Sequence, residues 1–226
     1  MEYGEIIKRL KAKANSENVK GMARFGINPD NILGVSIPEI RKMAKDIGKN
    51  HKLALELWDS GIHEARLLAG FIDEVDKVSE MQMEKWVKDF DSWDVCDQVC
   101  SNLFDKTVFS YKKTMEWTER DEEFVKRAGF VLMAALSVHD KKESDGKFLR
   151  LLPMIKRESK DERNFVKKAI NWALRQIGKR NLRLNKAAIN TAKEIQKINS
   201  KSAKWIASDT IKELTSAAIQ ARLRNK

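Results

Sequence analysis

Phe124-Val125-Lys126-Arg127-Ala128 recurs 41 residues later as Phe165-Val166-Lys167-Lys168-Ala169, and each copy runs on into an apolar, helix-patterned segment. Fainter echoes stand at Glu64-Ala65-Arg66-Leu67-Leu68-Ala69 and Ala203-Lys204-Trp205-Ile206-Ala207. A period of about 40 residues built on paired helices is the sign of a HEAT-like solenoid, because one helix pair cannot bury its apolar side alone and must stack on its neighbours. Such a stack curves, and one set of helices lines a concave surface. A basic residue repeated at one helical position would line that surface as a stripe.

The rest of the chain agrees with an all-α fold. Only three prolines and ten glycines punctuate 226 residues, and apolar residues return at three- and four-residue spacing. Ser36-Ile37-Pro38 before Glu39–Ala44 predicts a helix opened by a serine cap with proline in its first turn. Further helices are predicted over Met81–Phe90, Trp93–Phe104 (with Asp91-Ser92 as its cap), Asp121–Ser137, Phe148–Lys156, Asp161–Gly178, Leu184–Ile198 and Ser202–Arg222. No alternating strand run competes with them. The expectation is one HEAT-like α-solenoid domain over 1–226, with a concave basic face.

Composition narrows the function. At 42% hydrophobic the chain can bury a core, and no run approaches the roughly 18 apolar residues of a membrane span. Met1–Leu10 lacks the apolar stretch of a signal peptide, so a cytoplasmic protein is expected, with no membrane partner. The formal charge of +11 is uneven: residues 1–145 carry 23 basic and 27 acidic side chains, residues 146–226 carry 21 and 6, giving −4 and +15. A polyanion is the natural partner of the C-terminal block, nucleic acid first, since neutralising phosphates releases condensed counterions. A solvated helix face that only keeps the protein soluble is the bland alternative.

Cys96 and Cys100 are too few for a disulfide framework, and His51, His63 and His139 lie at no metal-ligand spacing from them, so neither metal nor cofactor is expected. Walker, dinucleotide, nucleophile-elbow and HExxH signatures are all missing. What remains is Ser92-Trp93-Asp94-Val95-Cys96-Asp97-Gln98, in which Trp93 and Asp97, four apart, share a helix face, and Lys168-Ala169-Ile170-Asn171-Trp172-Ala173-Leu174-Arg175, which sets Trp172 inside the basic block. Taken singly, each tryptophan also reads as a packed indole.

Taken together, Leu57-Trp58 with Ile62-His63-Glu64-Ala65-Arg66, then Trp93-Asp94-Val95-Cys96-Asp97, then Lys126-Arg127-Ala128, then Lys168–Arg175 resemble the DNA alkylation repair family, the AlkD-like HEAT-repeat DNA glycosylases. The likeness is clearest from Gly21 to Arg180. It implies a helical solenoid that grips double-stranded DNA containing alkylated bases and excises positively charged N3- or N7-alkylated purines. Asp97 would be the catalytic carboxylate, Trp93 and Trp172 the aromatic walls beside the damaged nucleotide, and Arg127 a cation on the DNA backbone. Asp94 would be a cap or structural member of its segment, and the Ile-His-Glu-x-Arg segment architectural. Met22–Ile27 stands where the family carries a further aromatic at the lesion; here that residue is Phe25, without a hydroxyl.

The chemistry is consistent with that assignment. A cationic alkylpurine leaves as a neutral base without a general acid, so one carboxylate can suffice to stabilise the oxocarbenium-like sugar and position water. Indole faces attract the cationic sugar and base by about 0.5–2 kcal/mol per contact. Lys168, at the repeat position of Arg127, would hold phosphate, with Lys167, Arg175, Lys179, Arg180 and Arg183 extending the basic band. The rival expectations are a non-catalytic solenoid that binds distorted or branched DNA and a protein scaffold, which the +15 of the C-terminal block disfavours. A monomer is expected.

Overall fold

The computed structural model describes residues 2–225. Among them are fifteen α-helices and no strand: α1 (Tyr3–Ala12), α2 (Ser16–Arg24), α3 (Ile37–Ile47), α4 (His51–Asp59), α5 (His63–Ile72), α6 (Glu80–Lys88), α7 (Trp93–Asn102), α8 (Ser110–Trp117), α9 (Glu123–His139), α10 (Asp145–Leu149), α11 (Leu152–Glu158), α12 (Asn164–Gly178), α13 (Leu182–Ile195), α14 (Lys201–Leu214) and α15 (Ala217–Arg224). The chain divides into two compact units, one ending at Ser110 and one beginning at Tyr111, where the sequence suggests a single domain.

Most helices fall where periodicity places them, and the differences have local causes. Ser36 is the N-cap of α3 and Pro38 lies in its first turn, but the serine side chain makes no capping bond. The segment expected as one helix over Phe148–Lys156 is two short ones, because Pro153 has no N–H and is accommodated only in the first turn of α11. Ser202–Arg222 likewise divides: Thr215 ends α14, and the Ser216 side chain accepts from the Ile219 N–H to open α15. Trp93–Phe104 stops at Asn102 and gives way to a 3-10 turn at Phe104–Lys106.

In the N-terminal unit α3, α5 and α7 pack in succession, with α4 on α5 and α1 against both. Trp58 and Trp86 stack at 3.9 Å and 2°, and Phe90 and Phe104 close the cluster. Ties between successive elements recur at an offset of 31: the Leu33 N–H to Glu64, His63 to Asp94, and Trp58 Nε1 to Asp89.

The second unit has a longer period. Here α9, α12 and α14 pack in succession, with α11 and α13 on α12. The repeated motif meets itself across this stack, since the Phe124 and Phe165 rings lie 5.6 Å apart. Hydrogen bonds then recur at an offset of 38: Arg127 to the Phe165 carbonyl, Arg157 to Glu119, Lys156 to Glu194, Asn171 to Asp209, Arg175 to Glu213 and Ser200 to Glu162. Partners 38 apart and a motif 41 apart differ by about one helical turn, so both report the same stacking of helix pairs. α9 is buried continuously from Val125 to Ser137, and its approach to the preceding turn needs Gly129, where a Cβ would stand 2.7 Å from the Thr118 nitrogen. The architecture is a HEAT-like helical repeat. No described helix is long and apolar enough to cross a membrane.

Candidate functional site

The motif Trp93-Asp94-Val95-Cys96-Asp97 forms the first five residues of α7. Its apolar side is fixed by Val95, Cys96, Val99 and Cys100, all fully buried. Burial, together with the hydrogen bond and charge interaction between Cys100 and Cys96, pushes the Cys100 thiol well above the ordinary cysteine range, as expected of a packing residue and not of a nucleophile. The other side of the helix presents Trp93 and, one turn on, Asp97, both half-buried.

Three ties set that first turn. Asp94, 8% exposed, takes His63 Nε2 at 2.9 Å on one carboxylate oxygen and the Val95 N–H at 2.9 Å on the other. Burial by itself would lower the His63 pKa, but the hydrogen bond to Asp94 and the charges of Asp94, Glu64 and Asp91 outweigh it, and the net shift is upward. Trp93 Nε1 donates to the Phe25 carbonyl at 3.0 Å, which joins α7 to the end of α2. Beside His63, the fully buried Glu64 accepts the N–H groups of Leu33, Gly34 and Val35, at 2.9, 2.6 and 3.2 Å. Arg66 donates to the Asp89 carbonyl and lies over the Trp58 ring. The His-Glu-x-Arg segment is thus the frame that holds loop 31–35 and the start of α7.

These elements enclose a groove of about 510 Å³, lined by Met22, Phe25, Ile27, Val35, Leu67 and Trp93 and edged by Asp94 and Gln98. Phe25, the residue at which the sequence departs from the family pattern, lies in this groove beside Trp93 and is 73% exposed. Its ring is available and its carbonyl is engaged by the indole, a pairing that no local sequence signal announces across 68 residues.

On the second unit, Lys168, Trp172, Arg175 and Lys179 share one face of α12, spaced four, three and four apart. Their surroundings differ. Lys168 is exposed, with no described carboxylate within ion-pair range, and Lys167 stands 5.8 Å over the Trp205 ring. Trp172 is half-buried on that face. Arg175 and Lys179 converge on Glu213, at 2.5 and 2.7 Å, and burial, which raises the Glu213 pKa, is outweighed by the pair so that the group is held below the usual carboxylate range. Arg180 donates to the carbonyls of Ser137, Asp140 and Glu143 and covers Phe148, so it caps the end of α9. Arg127 is 5% exposed and its guanidinium ties α9 to the first turn of α12 through the Phe165 carbonyl. Of the seven cations the sequence groups for DNA, Arg127, Arg175, Lys179 and Arg180 are therefore engaged by the chain itself and Arg183 lies 3.9 Å from Asp145, while Lys167 and Lys168 have no described carboxylate within ion-pair range.

A stack of paired helices carrying a Trp-x-x-x-Asp turn and a lysine–tryptophan helix face defines the class to which this chain is similar. It belongs to the DNA alkylation repair enzyme family, whose pattern matches residues 6–214. Uncharacterized protein Lin0241 of Listeria innocua serovar 6a is 23% identical over 202 residues, which cover 87% of this chain and 88% of that protein. A solved structure described as "a new family of proteins related to the HEAT-like repeat DNA glycosylases with affinity for branched DNA structures" superposes with a TM-score of 0.80 at 21% identity, over 99% of this chain and 96% of that one.

Proposed function

We propose that the protein is a DNA glycosylase that excises positively charged N3- or N7-alkylated purines from duplex DNA. The observation that carries the proposal is the first turn of α7, where Trp93 and Asp97 share a face and the turn is locked by His63–Asp94 and by the Phe25 carbonyl. A carboxylate held on a rigid helix is preorganised to face a developing positive charge, which is worth more than one that must first reorient.

In this reading the C1′–N9 bond of the alkylated nucleotide breaks, and its electron pair neutralises the purine as it leaves. Asp97 stabilises the oxocarbenium-like deoxyribose, orients water toward C1′ and takes the water's proton, leaving an abasic site. Trp93 and Phe25 offer aromatic surface to the cationic nucleotide. Trp172, assigned by resemblance, contacts the DNA beside the lesion. Lys168 and Lys167 neutralise phosphate, whereas buried Arg127 supports their helix from beneath. No cofactor enters this scheme, and the protein acts as a monomer whose residues 1–226 serve a single DNA ligand.

The second reading is a protein that binds branched DNA without excising bases, favoured by the description of the solved relative that aligns along nearly all of this chain. Purified protein incubated with methylated duplex separates the two. Release of 7-methyl- or 3-methylpurine above the spontaneous rate supports the glycosylase; binding without release supports the second reading.

A further inference from the structure

Trp205 is an exposed tryptophan that the proposed chemistry does not use. It lies on α14, a helix otherwise anchored by buried Ala203, Ile206, Ala207, Thr210 and Leu214, and its own side chain stays 42% exposed. A partly exposed indole is a surface on which a flat ligand can stack. Its surroundings are cationic. Lys167 reaches from α12 to 5.8 Å over the ring, Lys168 follows it, Lys201 stands one turn before Trp205 on the same helix, and Lys204 adjoins it. None of these four lysines has a described carboxylate in ion-pair range. Of the nearby acids, Glu162 accepts from Ser200 Oγ and the Ser202 N–H and, with the charges of Lys167 and Lys201 adding to those bonds, is held below the usual carboxylate range, while Asp209 accepts from Asn171 and pairs with Arg175 at 3.4 Å.

An indole beside ammonium groups that make no close ion pair suits a nucleotide: the ring stacks on a base and the lysines take its phosphates. It does not suit an intact duplex, whose base faces are hidden in the stack and whose phosphates need no aromatic partner. We infer that Trp205, with Lys167, Lys168, Lys201 and Lys204, is a site for an unpaired nucleotide, of the kind found at a flap, fork or junction in DNA. The inference rests on the DNA-binding part of the function proposed above and not on base excision.

The test compares Trp205→Ala, Trp205→Phe and wild type for affinity toward a perfect duplex and toward the same duplex carrying a single-stranded flap. Stacking on one base predicts that the alanine variant loses about fivefold or more on the flapped DNA, retains duplex affinity, and has wild-type thermal stability. Phenylalanine restores most of the loss. Equal affinity of wild type and Trp205→Ala for the flapped DNA overturns the site, and so does an equal loss on both DNAs, which would mark an ordinary duplex contact. Purine release from methylated duplex is unchanged in Trp205→Ala if release occurs at all, so failure of the glycosylase reading and failure of this site are read in different columns of one experiment.

Discussion

Glu64 offers the sharpest test of how the candidate site is built. Its carboxylate is fully buried; Oε1 takes the Gly34 and Val35 N–H groups, and the Leu33 N–H is shared between Oε2 at 2.9 Å and Oε1 at 3.1 Å. Glu64→Ala removes the acceptor from all three. A buried donor without a partner costs about 1–3 kcal/mol, and if the loop rearranges so that water reaches one of them, two orphans give about 2–6 kcal/mol. Glu64→Gln keeps one carbonyl oxygen for Gly34 and Val35, within 3.1 Å of the Leu33 N–H as well, and places an amide N–H where Oε2 stood, so it costs less than the alanine variant, about 1–3 kcal/mol at most. Gly34 is also tied on its other side, where its carbonyl accepts from the Asn18 amide at 2.9 Å. Urea unfolding followed by circular dichroism measures both costs, and amide hydrogen exchange at residues 33–35 shows whether the loop is what loosens. A Glu64→Ala variant within 0.5 kcal/mol of wild type, or a glutamine variant that costs more than alanine, refutes the reasoning.

Two further outcomes follow from the site. The His63 pKa is raised by Asp94 in the folded protein, so the pair's contribution is fully present below the ordinary histidine value of about 6.5 and is lost as pH climbs through the higher folded-state value. The stability difference between wild type and His63→Gln should therefore shrink between pH 6 and pH 8.5 in urea titrations; a difference that grows with pH contradicts the assignment. Lys168→Ala should lower the slope of log affinity against log salt for duplex DNA by about 1, whereas Arg127→Ala should leave that slope unchanged and cost about 1.5–3 kcal/mol of stability through the lost bond to the Phe165 carbonyl. Equal slope changes in the two variants would return Arg127 to the phosphate contacts.

The fold was legible in the sequence because its signals are local or periodic. The 41-residue recurrence of Phe124–Ala128 marks the stacking of α9 on α12, and the structure sets the two phenylalanine rings together. Helix breaks at Arg150–Leu151 and Thr215–Ser216 escaped, since apolar periodicity runs through both and only the backbone demands of Pro153 and the Ser216 cap interrupt it. The Trp93–Asp97 face was legible from a spacing of four. The pairing of Trp93 with Phe25 was not, because it is a bond to a backbone carbonyl 68 residues away, which no side-chain pattern encodes. Charge is legible in the sequence only as a total. The +15 of residues 146–226 suggests a broad phosphate-binding band, yet Arg175 and Lys179 meet Glu213, and Arg180 binds three carbonyls. One well-placed carboxylate and a helix end engage three of the cations that a count treats as available.

The central claim is that the carboxylate of Asp97 drives base excision. The direct measurement is single-turnover release of 7-methylpurine from methylated duplex by wild type and Asp97→Asn, each confirmed to be folded and bound to the DNA. Release by wild type well above the spontaneous rate, falling to near that rate in Asp97→Asn at equal occupancy, is the predicted result. Bound wild-type protein that releases nothing beyond the spontaneous rate, or an asparagine variant as fast as wild type, would contradict it.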